Sequence, residues 1–307
     1  MKKAYLFAML FVASLAAIVL FGDSLDAENE AAQPIAKEKS NFASPGANAA
    51  STIHPPPAPG PVANRGGLAE ELRQSPSFRA FVYRALRNPE KGGYLYAQHV
   101  ISLCRRTIER RDVGALNDEQ RAAAISLMRR CDMTKEDLAQ YDRELPELRD
   151  TERDLLFGLA SDGLIRAKSQ EERNDASTRI LATKEPLLLR IVSSVEVVRR
   201  ADGTFTSREY FDGKWYGEDK SELLEAAWAL ANCELGADCG ANAPVTLQLC
   251  VEKGWCGETL QDAIERSASG VRAYDEILSL KSGIVSAINR QDIRPFIGPD
   301  GNPLPFK

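Results

Sequence analysis

The chain has 307 residues, 44% hydrophobic and 27% charged, with a formal net charge of −5, six cysteines and two histidines. That length and apolar content suit one substantial core or two small ones, and the acidic balance argues against nucleic acid as a partner. Two histidines, far apart in the chain, are too few for a histidine-rich metal site.

Residues 1–22 read MKKAYLFAMLFVASLAAIVLFG. Lys2 and Lys3 precede an uncharged run from Ala4 to Gly22, and Asp23, Asp26, Glu28 and Glu30 follow it. Basic residues before the run and acidic ones after it predict an N-terminus inside and the rest of the chain exported. The run exceeds the about 7–15 apolar residues of a signal peptide and falls in the about 17–25 of a spanning helix. We therefore expect an uncleaved anchor that meets the membrane through residues 4–22. The alternative is a signal cleaved near Gly22-Asp23-Ser24, which would release a secreted protein. No cysteine follows the run, so it is not a lipoprotein signal. The pattern looks bacterial and places the body in the periplasm, tethered to the inner membrane.

Residues 23–66 are rich in Ala, Pro, Asn and Ser and hold few large apolar side chains. Such a stretch cannot offset its ordering entropy by burial, so it is expected to be a disordered linker, stiffened at His54-Pro55-Pro56-Pro57. Removal of residues 1–66 should leave a soluble helical body.

The body, residues 67–307, reads as all-α: a helical-hairpin array or irregular bundle with one small β-hairpin at about 205–216. Ala97, Val100, Ile101, Cys104 and Ile108 share one helical face. Asn117 caps a second helix with Ala124, Leu127, Met128 and Cys131 inward, and Thr134 with Asp137 opens a third. Ser169 and Pro186 mark two more starts; the second, EPLLLRIVSSVEVV, is rich in β-branched residues. Asp219 and Glu222 bracket the start of a helix with Leu224, Ala227, Trp228 and Ala231 on one side. From Glu258 to Ile288 the pattern gives one long helix, or two broken near Gly283. In TFTSREYFDGKWYG, Asp212-Gly213 lies between two aromatic, strand-prone tetrads, the signature of a type I′ hairpin. Its aromatics Tyr210, Phe211, Trp215 and Tyr216 are a candidate platform for glycan or peptide; as a plain structural element, the hairpin would instead cover helices with one side.

Four cysteines lie in CELGADCGANAPVTLQLCVEKGWC, Cys233 to Cys256. Each half runs from a helix end through C-x5-C, with a glycine before the second cysteine and another after it. Zinc sites favour shorter C-x2–4-C knuckles, and redox pairs favour C-x-x-C. Structural disulfides suit an exported chain with an even cysteine count. Local closure, Cys233–Cys239 and Cys250–Cys256, is geometrically open to five-residue loops that contain glycine. Elimination then pairs Cys104 with Cys131. A simple antiparallel helix hairpin would leave those two about 12 Å out of register. The bond therefore requires steeply crossing helices or a second helix that ends early. Residues 223–261 resemble cysteine-containing Sel1-like repeats, a likeness that implies a helical scaffold for protein contacts and no catalytic residues.

No nucleophile elbow, zinc-protease or phosphate-loop motif is present. His54 sits in the linker, and His99 falls beside Arg106 and Arg110 on a face away from the apolar stripe, where solvation is the expectation. No catalytic, metal or cofactor residues are expected. Residues 66–131 carry 12 basic and 7 acidic residues, and residues 132–257 carry 16 and 25. Arg105, Arg106 and Arg110 are thus a candidate contact surface for an acidic partner, or they pair with the acidic part of their own chain. The expected function is a tethered extracytoplasmic binding or scaffold module with a protein partner in the envelope. The alternative is an envelope enzyme that acts on glycan or peptide through carboxylates.

Overall fold

Side chains set most helix starts. Asn117 Oδ1 accepts from the Gln120 N–H at 2.8 Å, and Gln120 Oε1 accepts from the Asn117 N–H at 3.1 Å. Thr134 and Asp137 make the same reciprocal pair, and the Ser169 hydroxyl accepts from the Glu172 N–H. Each supplies partners to N–H groups that no helical carbonyl can reach.

In the computed structural model the described residues are 67–301, except 111–112, 150–152, 201–202, 218–219, 269 and 300. The expected anchor (1–22), the linker (23–66) and the expected cap Asp219 lie outside the described residues. The N-terminal helices are α1 (Leu68–Gln74), α2 (Phe78–Ala85), α3 (Gly93–Ile108), α4 (Asp118–Cys131) and α5 (Lys135–Leu148). Next come α6 (Leu155–Gly158), which runs into a π-helical segment Leu159–Ile165, then α7 (Gln170–Thr183) and α8 (Pro186–Leu189). Three strands follow, β1 (Val195–Arg199), β2 (Phe205–Phe211) and β3 (Lys214–Gly217). The chain closes with α9 (Ser221–Glu234), α10 (Pro244–Lys253), α11 (Leu260–Ser267) and α12 (Val271–Asn289). The architecture is therefore mostly helical, with an antiparallel sheet ordered β1-β2-β3.

The core runs continuously from α1 to the short turn Arg294–Phe296 beyond α12. At its centre Trp228, 1% exposed, stacks on Phe296 with ring centroids 5.5 Å apart. Helix α9 lies along α12, and α10 lies along α4. The start of α3 sits on the end of α2, where a Cβ on Gly93 would come within 1.8 Å of the Ala85 carbonyl oxygen. Only glycine permits that approach. Asp154, fully buried, links two helix starts: Oδ2 accepts from the Tyr94 and Leu95 N–H groups of α3, and Oδ1 from the Phe157 N–H of α6.

Four sequence expectations need correction. The segment from Glu185 is helical only to Val192, and Val195–Arg199 is a strand, because its β-branched residues fit a pleated sheet better than a helix. The hairpin thus gains a third strand. The C-terminal break falls at Gly270, with φ of 104°, where no other residue sits easily, and not at Gly283. Gly283 is inside α12 because its missing side chain admits the Phe211 ring, 3.3 Å from where a Cβ would stand. Met128 is 38% exposed, since α4 turns its other side to α3 and α10.

Cys104 and Cys131 are joined, with Cα atoms 5.4 Å apart. The register problem of a simple hairpin does not arise, because α4 packs mainly along α10 and less extensively on α3, and Cys131 is its last residue. Cys233–Cys239 and Cys250–Cys256 close the two local loops, with Cα separations of 5.7 Å and 4.4 Å. The helices that carry these loops pack on different partners, α9 on α12 and α10 on α4, so they do not stack as successive repeats. Replacing Cys104 and Cys131 together by alanine is expected to cost about 3.5 kcal/mol, against about 2 kcal/mol for either short loop, because more chain is closed. Denaturant midpoints of the three double variants check the order.

Candidate binding surface

The β2–β3 turn is built by Asp212 and Gly213, with φ of 46° and 82°, the two positive values a type I′ turn requires. Register pairs Tyr210 with Trp215 and Glu209 with Tyr216. Alternation then divides the four aromatics between two faces. Phe211 and Tyr216, 3% and 5% exposed, enter the core, where Phe211 meets Phe296 at 5.5 Å. Tyr210 and Trp215 lie on the other face, half-buried, edge to face at 5.2 Å. The four do not form one platform. The Arg208 guanidinium covers Trp215 at 4.8 Å from the ring centroid and is itself held by Glu196 at 2.6 Å. A Cβ on Gly298 would stand 3.1 Å from the Trp215 ring, so the C-terminal segment packs against that side chain too. The outer face is a polar and aromatic strip of Glu196, Arg208, Trp215 and Tyr210.

Beneath the sheet lies a polar group that the sequence analysis missed. Glu209 is 8% exposed. Its Oε1 accepts from Trp228 Nε1 at 2.8 Å, and its Oε2 accepts from Arg190 at 2.9 and 3.2 Å. Burial works against the Arg190 charge, but the Glu209 and Glu225 carboxylates outweigh it and hold the guanidinium above its usual pKa. Glu225 in turn pairs with Lys253 at 3.0 Å. The signal was present in the alternation: Glu209 stands two residues before Phe211 and so faces inward with it.

The arginines of α3 face their own chain's acids. Arg105 pairs with Asp142, and Arg106 with Glu252 at 3.4 Å. Both acids come from the acidic part of the sequence, so the self-pairing alternative holds for these two. Arg110 lines a shallow depression of about 440 Å³ with Ile108, Glu109 and Lys135. A second depression, about 600 Å³, lies among Arg290, Gln291, Asp292 and Arg294. Each has one carboxylate in its lining. Among the described residues no group of histidine, cysteine or acidic side chains is arranged to hold a metal ion.

His99 departs from its expected solvation. The ring is half-buried on α3, and burial, with the nearby Arg106 charge, pushes its pKa down to about 4 from 6.5. The imidazole is therefore neutral at physiological pH. Between about pH 6.5 and 4 the unfolded chain binds a proton that the folded chain resists, so stability is expected to fall as pH drops through that window. His99→Gln should flatten the slope, and an NMR titration should place the His99 midpoint near pH 4.

No protein-family model matches the chain, and no curated protein or solved structure is significantly similar to it. Among the described residues no helix is long and apolar enough to cross a membrane.

Proposed function

We propose that the chain is a membrane-tethered helical module that binds or scaffolds another protein on the outer side of a bacterial inner membrane. The observation that carries the reading is the cysteine usage: all six are paired, an arrangement that suits an oxidising compartment, and they follow an apolar run with lysines before it and acids after it. Binding is favoured over catalysis by how the ionisable groups are used. Asp154 caps helices, Glu209 is held by Arg190 and Trp228, and His99 is kept neutral by burial. The surface offered to a partner is the outer sheet strip, Tyr210, Trp215 and Arg208, together with the Arg110 rim.

The test is thiol alkylation after fractionation of bacteria that express the full chain. The full chain should sediment with membranes and offer no reactive thiol, whereas deletion of residues 4–22 should give a soluble form with six alkylatable cysteines. A full chain found in the cytosolic fraction with free thiols would overturn the tethered reading. A photo-crosslinking residue at Trp215 or Arg110 should yield a discrete protein adduct. Release of soluble fragments from purified cell-wall glycan or peptide, abolished by one carboxylate substitution, would replace binding by the enzymatic alternative.

A further inference from the structure

The sheet has an open edge whose pattern identifies what fits it. Register pairs Val195 with Glu209, Val197 with Ser207 and Arg199 with Phe205. The Tyr210 N–H donates to the Ser194 carbonyl at 2.9 Å, and the Arg200 N–H to the Thr204 carbonyl at 2.7 Å. In an antiparallel ladder the residues that exchange bonds alternate, so even-numbered residues of β1 face β2. Val195, Val197 and Arg199 therefore turn their backbone N–H and C=O groups outward. Among the described residues no other backbone strand pairs with that edge. Val197 and Phe205, 57% and 61% exposed, stand on one face of the same two strands, beyond the part of the sheet where Phe211 and Tyr216 cover the core.

We propose that β1 is a homodimerisation edge, where two copies pair antiparallel and join their sheets into one of six strands. The charge pattern selects a second copy in this direction. The strand reads Val195-Glu196-Val197-Val198-Arg199-Arg200, with the acid near its start and both bases at its end. A parallel copy would set like charges side by side. An antiparallel copy brings Glu196 of each strand toward the arginine end of the other, which is complementary by symmetry. A two-fold axis at Val197 also sets that side chain against its equivalent, with Phe205 of each copy flanking the pair. This covers Val197 and Phe205, which the single chain leaves in water. The inference goes beyond the tethered-module reading and does not depend on it.

Four variants of the full chain test it. Val197→Cys places equivalent Cα atoms about 5.5 Å apart across the axis, within disulfide range, and should oxidise to a covalent dimer. Val195→Cys sits on the same edge, but its equivalents are about 13 Å apart in this register and should remain unlinked. Val197→Pro removes an outward N–H without breaking the β1–β2 ladder, and should shift the protein mass in light scattering from two chains to one with circular dichroism unchanged. Val197→Lys should do the same and guards against a backbone effect of the proline. A single-chain mass for the native protein at every concentration overturns the proposal, as does equal crosslinking at 195 and 197. A two-chain mass that Val197→Pro and Val197→Lys both leave intact also overturns it, by placing the contact elsewhere.

Discussion

Asp154→Ala is expected to destabilise the fold by about 4 kcal/mol, through the loss of two helix caps at once, each worth up to about 2 kcal/mol when replaced by alanine. The carboxyl is fully buried, so no water stands ready to take over its bonds. Its two oxygens divide the work: Oδ2 serves the Tyr94 and Leu95 N–H groups at 2.8 and 3.4 Å, and Oδ1 serves the Phe157 N–H at 2.8 Å. That division gives a sharper expectation for Asp154→Asn. An amide has one acceptor oxygen, so it can serve α3 or α6 but not both, and it should cost about half as much as alanine. Urea midpoints of the two variants check this. If asparagine and alanine are equally damaging, or asparagine is harmless, the two-oxygen account fails.

Glu209→Ala should cost a similar amount, about 4 kcal/mol, because it strands two donors. Trp228, 1% exposed, would lose the acceptor of its Nε1–H, and the Arg190 guanidinium would lose the carboxylate that offsets its burial. Glu209→Gln keeps one oxygen for Trp228 but sets an amide NH2 where Oε2 met Arg190, so the charge and the Arg190 hydrogen bonds are lost together. The Arg190 side chain is 30% exposed, so water can compensate part of that loss, and the amide should cost about 2 kcal/mol. Tryptophan fluorescence provides a second readout, since Trp228 should shift with alanine and hold its emission with glutamine.

Much of the helical body was legible because its signals are local. Asn117, Thr134 and Ser169 cap as their types and spacings imply, and the face Ala97–Val100–Ile101–Cys104 is buried as its period requires. The Asp212-Gly213 turn was equally plain, since two successive positive φ values have few sequence solutions. Long-range features were less legible. Nothing near Asp154 announces that Tyr94 and Leu95, about sixty residues earlier, will share its oxygens. No glycine or proline lies between Leu187 and Arg199, so the switch of Val195–Arg199 to strand is set by pairing with β2 rather than by a local stop signal. The partial burial of His99 is not legible in its helix, whose polar face includes Arg106, paired with Glu252 from far along the chain. The candidate surface was half legible: alternation divides the aromatics between two faces, but the arginine over Trp215 is a cross-strand contact.

The order of the disulfides along the chain has a consequence for biogenesis. Cys104 bonds Cys131, Cys233 bonds Cys239 and Cys250 bonds Cys256, so every cysteine is joined to the neighbour next to it in sequence and no bridge spans another. A chain threaded from its N-terminus into an oxidising compartment presents its thiols in that same order. An oxidase that couples each new thiol to the last one still free would make the native set at the first attempt. Such a protein needs an oxidant for its maturation but little proofreading of its bridges. Its yield should depend on the enzyme that forms disulfides and be nearly indifferent to the one that reshuffles them.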